Sequence, residues 1–120
     1  MKLDAKNVSV SIAGKPIVRN LSIEVPDLKF SALLGANGSG KTTLLRSIYR
    51  TQKMDSGIVR LDDKDITHFS DKKLARNMAV MGQFNQINFD YTVLDIALMG
   101  RYPFHSLLEQ ERERDYEIAL

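Results

Sequence analysis

Apolar and polar residues alternate in two segments near the N-terminus of the chain. The first covers residues 8–12 and the second covers residues 21–25. A period of two indicates a strand with one buried face. The Ala-Gly-Lys-Pro sequence at residues 13–16 predicts a turn between them. The two segments are therefore predicted to pair as antiparallel strands.

Two other apolar runs, at residues 29–34 and 78–81, lack alternation. Runs of this kind are typical of strands that are buried on both faces. A short strand is also predicted over residues 58–61, between turns at residues 55–57 and 62–64.

Helical spacing begins at Lys41 and places four apolar residues on one face. These residues are Leu44, Leu45, Ile48 and Tyr49. With the strands on either side, this helix predicts an α/β fold.

Later in the chain, the capping pattern predicts three shorter helices. Ser70 is predicted to cap a helix containing Leu74. Thr92 and Asp95 have the spacing of a cap before a helix over residues 93–99, which places Asp95 in the first turn and not at a metal. A charged helix is predicted over residues 109–120, with its glutamates on a solvated face.

The composition is that of an ordinary globular protein. The 120 residues are 43% hydrophobic and 27% charged, with a net charge of +2 and no cysteine. Acidic and basic residues are interleaved, which argues against a nucleic-acid partner. The composition also excludes disulfides and thiolate metal sites. The two histidines have no partners at ligand spacing and are expected to have surface or loop roles.

One motif indicates a phosphate-binding loop, because residues 35–42 fit the pattern G-x-x-x-x-G-K-[ST]. They are Gly35, Ala36, Asn37, Gly38, Ser39, Gly40, Lys41 and Thr42. Glycines allow successive N–H groups to point into one concavity that suits phosphate oxygens. Lys41 is predicted to reach the outer phosphates, and the Thr42 hydroxyl is an oxygen ligand suited to Mg²⁺. The alternative to a phosphate-binding loop is a glycine-rich turn that binds no ligand.

The residues around the motif resemble the ATP-binding subunits of ABC transporters. The resemblance rests on residues 33–46, on the preceding hairpin with its Asn-Leu-Ser-Ile sequence at 20–23, and on Val-Met-Gly-Gln at 80–83. It implies that Thr43 joins the ATP site and that Gln83 contacts the magnesium. The sequence Gly-Arg-Tyr-Pro at 100–103 is similar to the branch that imports iron–siderophore complexes, haem or cobalamin.

The chain departs from this family in two respects. Ile12 stands where the family has an aromatic residue that stacks on adenine, so Ile12 offers only apolar contact. The signature motif Leu-Ser-Gly-Gly-Gln, the acidic strand with its catalytic glutamate and the switch histidine are not among the 120 residues. We therefore expect no catalytic residue within this chain.

The resemblance implies an α/β architecture with a P-loop core. An antiparallel β-subdomain and the core are expected over residues 1–91, with the start of a helical subdomain over 92–120. The implied function is ATP-driven import of a metal chelate at the cytoplasmic face of the inner membrane. The implied partners are transmembrane permease subunits, a second ATP-binding subunit and, indirectly, a substrate-binding protein.

Two alternatives from other classes stay open at this point. One is a truncated nucleotide-binding module without turnover, which the missing acidic strand favours. The other is a soluble ABC-type ATPase that acts on nucleic acids or ribosomes. That alternative ranks third, because it would carry a basic patch and lack the Gly-Arg-Tyr-Pro helix.

Overall fold

The computed structural model describes residues 1–82, 89–106 and 110–120. Contacts divide the chain into two compact units, Met1–Phe69 and Ser70–Leu120. Each unit is described by itself below. The subdomain boundary that the sequence suggests between residues 91 and 92 stays a prediction.

The first unit is built on a four-stranded antiparallel sheet. Its strands are β1 (Leu3–Ile12), β2 (Lys15–Val25), β3 (Ser56–Leu61) and β4 (Lys64–Asp65), and their order in the sheet is β2-β1-β3-β4. β1 pairs with β2 in register from Leu3 opposite Val25 to Ile12 opposite Lys15. This confirms the predicted antiparallel pair, with strands longer than the alternation alone suggested.

Apolar side chains on one face of β1 and β3 form the core of this unit. Val8, Val10 and Val59 are each fully buried. The alternation of buried and exposed side chains along β1 is interrupted at the bulge beside Asn7, whose φ of 51° lies in the left-handed region. It also fails at Ile12, which ends β1 with 43% of its surface exposed.

Two tight turns connect the strands of the sheet. Ala13 and Gly14 both have positive φ angles, 50° and 76°, which matches the twist of a two-residue hairpin. The β3–β4 turn is made by Asp62 and Asp63, both also at positive φ. Aspartate tolerates this region better than most residues, so the predicted turn role of the pair is confirmed.

Helix α1 spans Lys41–Ile48 and packs one face inward, as the helical spacing predicts. Leu44 and Ile48 are buried, together with Ser47, whose hydroxyl donates to the Thr43 carbonyl at 2.9 Å. Leu45 does not share this face, because 47% of its surface is exposed.

The two buried strands predicted over residues 29–34 and 78–81 are not formed, and that prediction is wrong. Both segments are irregular in the structure. Phe30 is 98% exposed, and Met81 is 90% exposed. A strand needs a neighbour to take its backbone hydrogen bonds, and none of the described strands pairs with either segment.

The second unit contains three short helices. They are α2 (Asp71–Asn77), α3 (Val93–Met99) and α4 (Glu113–Ala119), and a 3₁₀ turn covers Tyr102–Phe104. The Ser70 hydroxyl accepts from the Lys73 amide at 3.2 Å, and Thr92 and Asp95 form a reciprocal capping box. Both predicted caps are confirmed.

The last helix is shorter than predicted, because α4 begins at Glu113 and not near residue 109. Residue 109 itself lies outside the described part of the chain. None of the helices in the described ranges is long and apolar enough to cross a membrane.

Candidate functional site

The glycine-rich loop lies directly before α1, where the sequence placed it. Gly38 and Gly40 have φ angles of 83° and 95°, which residues with a side chain rarely adopt. Between them, the Ser39 amide donates to the Ala36 carbonyl at 3.1 Å and closes a turn. Gly40 is then the residue that begins the helix, because the Leu44 amide donates to its carbonyl at 2.9 Å.

Close packing also restricts the loop to glycine at its two ends. A Cβ atom on Gly35 would lie 2.8 Å from the Ser39 Oγ atom. A Cβ atom on Gly40 would lie 3.1 Å from the Ile17 carbonyl oxygen on β2. At Gly40, the loop therefore approaches β2 with its backbone.

Lys41 folds back over the loop that precedes it. Its ammonium group donates to the Gly35 carbonyl and, at 3.4 Å, to the Ala36 carbonyl. This brings the charge that the sequence assigned to the phosphates into contact with the first residues of the motif. Thr42 is exposed and Thr43 half-buried, both in the first turn of α1.

The electrostatics of the helix terminus favour an anion. The first turn of α1 contains no acidic residue, and its basic residue Arg46 lies in the last turn. The first N–H groups of a helix have no partner within the helix and carry a partial positive charge. Loop amides, a helix N-terminus and a lysine are the kinds of donor that bind phosphate oxygens in proteins. These residues would hold the phosphates of a nucleotide.

A cavity of about 250 Å³ adjoins the loop. Gly35, Ser39 and Lys41 line it from the loop, and Arg19 lines it from β2. Ile12 is not among its lining residues. Four of the eight motif residues thus line the cavity, whereas Ile12 lies at the exposed end of β1 and does not line it.

The two remaining sequence predictions concern the second unit. Gln83 lies outside the described residues, so its assignment to magnesium stays a prediction. The Asp95 carboxylate accepts from the Thr92 amide at 2.9 Å. Hydrogen bonds from the Thr92 amide and hydroxyl lower the pKa of Asp95. Asp95 is therefore a capping residue, as the sequence indicated.

A buried polar cluster that the sequence did not suggest lies between the 3₁₀ turn and α4. The Asp115 carboxylate accepts from the Arg101 Nε atom at 2.9 Å and lies 2.8 Å from the His105 Nε2 atom. The Arg112 backbone amide, then the Arg101 guanidinium and the His105 ring, hold the pKa of Asp115 well below its ordinary value. His105 lies in a loop, as one of the two expected roles has it, but it is not a surface residue, because its side chain is buried.

The loop at the start of α1 carries the sequence motif of P-loop nucleotide-binding proteins. The family model for ABC transporters matches residues 18–119. The chain belongs to the ABC transporter family.

Curated relatives align over nearly the whole chain. The petrobactin import ATP-binding protein FpuD of Bacillus anthracis is 36% identical over 117 residues, which are 98% of this chain and 43% of that protein. The ferric enterobactin transport ATP-binding protein FepC of Escherichia coli (strain K12) is 34% identical, over 97% of this chain and 43% of that protein. The chain thus spans less than half the length of these relatives.

Solved structures share the fold. A bacterial Atm1-family ABC exporter with ATP bound superposes with a TM-score of 0.73 at 26% identity. That match covers 83% of this chain and 18% of the exporter chain. A metal-chelate type ABC transporter in an inward-facing conformation superposes with a TM-score of 0.70 at 24% identity, over 96% of this chain and 41% of that chain.

Proposed function

We propose that the chain supplies the phosphate-binding half of an ATP-driven importer, and that it binds Mg-ATP through residues 35–43. The observation that carries this proposal is that the glycine loop leads directly into the N-terminus of α1, with the Lys41 ammonium group folded back onto the loop. Phosphate is the ligand that such a donor set accommodates. Mg²⁺ would be held by the exposed Thr42 hydroxyl and by Gln83, because this ion prefers oxygen ligands.

The proposed cargo is a metal chelate such as an iron–siderophore. Support comes from the relatives, which include the two siderophore proteins named above and the hemin import ATP-binding protein HmuV of Methylobacillus flagellatus (strain ATCC 51484 / DSM 6875 / VKM B-1610 / KT), 34% identical over 118 residues, 98% of this chain and 43% of that protein. The proposed partners are transmembrane permease subunits, a second ATP-binding subunit and, through the permease, a substrate-binding protein. The proposed location is the cytoplasmic face of the inner membrane.

A second candidate is a nucleotide-binding module without turnover. The observation that favours it concerns the described residues, since none of those that line the cavity beside the loop is a carboxylate. Both candidates require the same loop to bind nucleotide, so binding is the property to test first.

Lys41→Ala tests that shared requirement. We expect Lys41→Ala to weaken Mg-ATP binding, because a hydrogen bond to a charged group contributes about 1.5–3 kcal/mol. The measurement is titration calorimetry, with circular dichroism to establish that the fold is retained. Lys6→Ala is the matched control, because Lys6 is exposed on β1. Equal affinities in wild type and Lys41→Ala would rule out the phosphate-loop assignment.

A further inference from the structure

Arg19 lies beside the phosphate loop, although it is 16 residues before the motif in sequence. It is exposed on β2 and lines the same cavity as Gly35, Ser39 and Lys41. The sequence motif gives no indication of this residue, because only the folded chain brings β2 against the loop.

β2 lies close to the loop at Gly40. The Cα atom of Gly40 faces the carbonyl oxygen of Ile17 and the Val18 side chain, which a Cβ atom would meet at 3.1 and 3.3 Å. Arg19 directly follows Val18 on β2, at an irregularity in the strand where Val18 pairs with Val10 and Leu21 pairs with Val8. It is therefore next in sequence to the part of β2 that lies against the loop.

The charges around the cavity are unbalanced. Arg19 and Lys41 both line it, and none of the described residues that line it is a carboxylate. Within the part of the chain that the structure describes, the Arg19 guanidinium has no hydrogen bond or ion pair. An anion in this cavity would be attracted by the positive charge of both residues.

We propose that Arg19 is a second cationic contact for the phosphate groups of the nucleotide, a role that rests on the proposed function of the loop. A guanidinium presents several N–H donors in a planar fork that matches phosphate oxygens. We assign the contact to phosphate and not to the base, because Lys41 and three other loop residues line the same cavity and Ile12 does not. Apart from Arg19, the remaining lining residues are apolar. It gives the site affinity that does not depend on stacking.

Calorimetry of Arg19 variants tests the proposal on the full 120-residue chain. We expect Arg19→Ala to weaken binding of Mg-ATP by about tenfold, with Arg19→Lys retaining part of the affinity. Inorganic tripolyphosphate is the second probe, and its binding should weaken by a similar factor because it has no base. Lys15→Ala is the matched control, since Lys15 is also exposed on β2 but does not line the cavity.

The outcomes separate the role of Arg19 from the proposed function of the loop. Wild-type affinity in Arg19→Ala, or an equal loss in Lys15→Ala, would overturn the role of Arg19 and leave the proposed function intact. A loss for Mg-ATP without a loss for tripolyphosphate would also overturn it, because the contact would then be to the nucleoside. Failure of the wild-type chain to bind either probe would overturn the proposed function and this inference together. Arg19→Gln, which keeps the side-chain volume, replaces the alanine variant if circular dichroism shows that Arg19→Ala is unfolded.

Discussion

At the scale of single residues, Ile12 is the position where the sequence predicts a departure from the family's aromatic residue. It ends β1 with 43% of its surface exposed, next to a turn whose two residues have positive φ. We expect Ile12→Tyr to strengthen binding of Mg-ATP, because aromatic pairs contribute about 0.5–1.5 kcal/mol beyond area burial. Titration calorimetry measures this change, with Ile12→Leu as a control that adds no ring. Unchanged or weaker binding by Ile12→Tyr would show that residue 12 does not face the base.

The roles that could be predicted belong to residues whose hydrogen-bond partners are close in sequence. The capping box of Thr92 and Asp95 spans three residues, so its hydrogen bonds can be inferred from the spacing alone. The cluster of His105 and Asp115 could not, because ten residues separate them and no local pattern indicates that they meet. Arg19 was missed for the same reason.

At the scale of elements, the attachment of α4 depends on the Asp115 carboxylate. Hydrogen bonds to the charged form lower the pKa of Asp115 in the folded protein. A group with a lowered folded-state pKa contributes stability above its unfolded pKa, about 3.9 for aspartate, and loses it as the pH falls through the folded value. The stability that the Asp115 carboxylate contributes between α4 and the 3₁₀ turn is therefore present at neutral pH and is lost in strong acid.

Asp115→Asn tests this dependence. We expect the variant to unfold at a lower urea concentration than wild type at pH 7, and the difference to shrink as the pH falls below about 4. Urea unfolding followed by circular dichroism gives both midpoints. Glu117→Gln, on the exposed face of the same helix, controls for the loss of one charge. A difference that stays constant between pH 7 and pH 3 would contradict the role of the carboxylate.

Element types were predicted better than element boundaries. The hairpin, α1, α2 and α3 all form where periodicity and caps indicated. The apolar runs at 29–34 and 78–81 do not form strands. An apolar run favours burial, but it does not indicate which neighbouring strand would pair with it and cover it. α4 is shortened to Glu113–Ala119, since its charged residues supply no apolar face before that point.

At the scale of the whole molecule, we predict that the chain binds ATP without hydrolysing it. Hydrolysis requires a group that positions the attacking water as well as donors that stabilise the transferring phosphate. Lys41, Thr42 and the loop amides supply part of the second requirement. No described carboxylate lines the cavity beside the loop, and the family's catalytic glutamate is not among the 120 residues.

Phosphate release from the purified chain measures this directly. We expect no release above that of Lys41→Ala, which serves as the control for contaminating ATPases. Turnover near the value typical of enzymes, about 10 per second, that disappears in Lys41→Ala would contradict the prediction. It would mean that a residue assigned to structure, Asp95 being the nearest to the family's pattern, takes part in catalysis.

The sequence by itself determined what depends on local chemistry. It determined the phosphate loop, because the positive φ angles at Gly38 and Gly40 and the following helix are set by residues within the motif. Tertiary structure alone decided which distant residues meet: Arg19 beside the loop, Asp115 with His105, and Ile12 apart from the cavity. The physical reason is that backbone preferences and caps act over a few residues, whereas these contacts depend on how strands and helices pack across long separations in the chain.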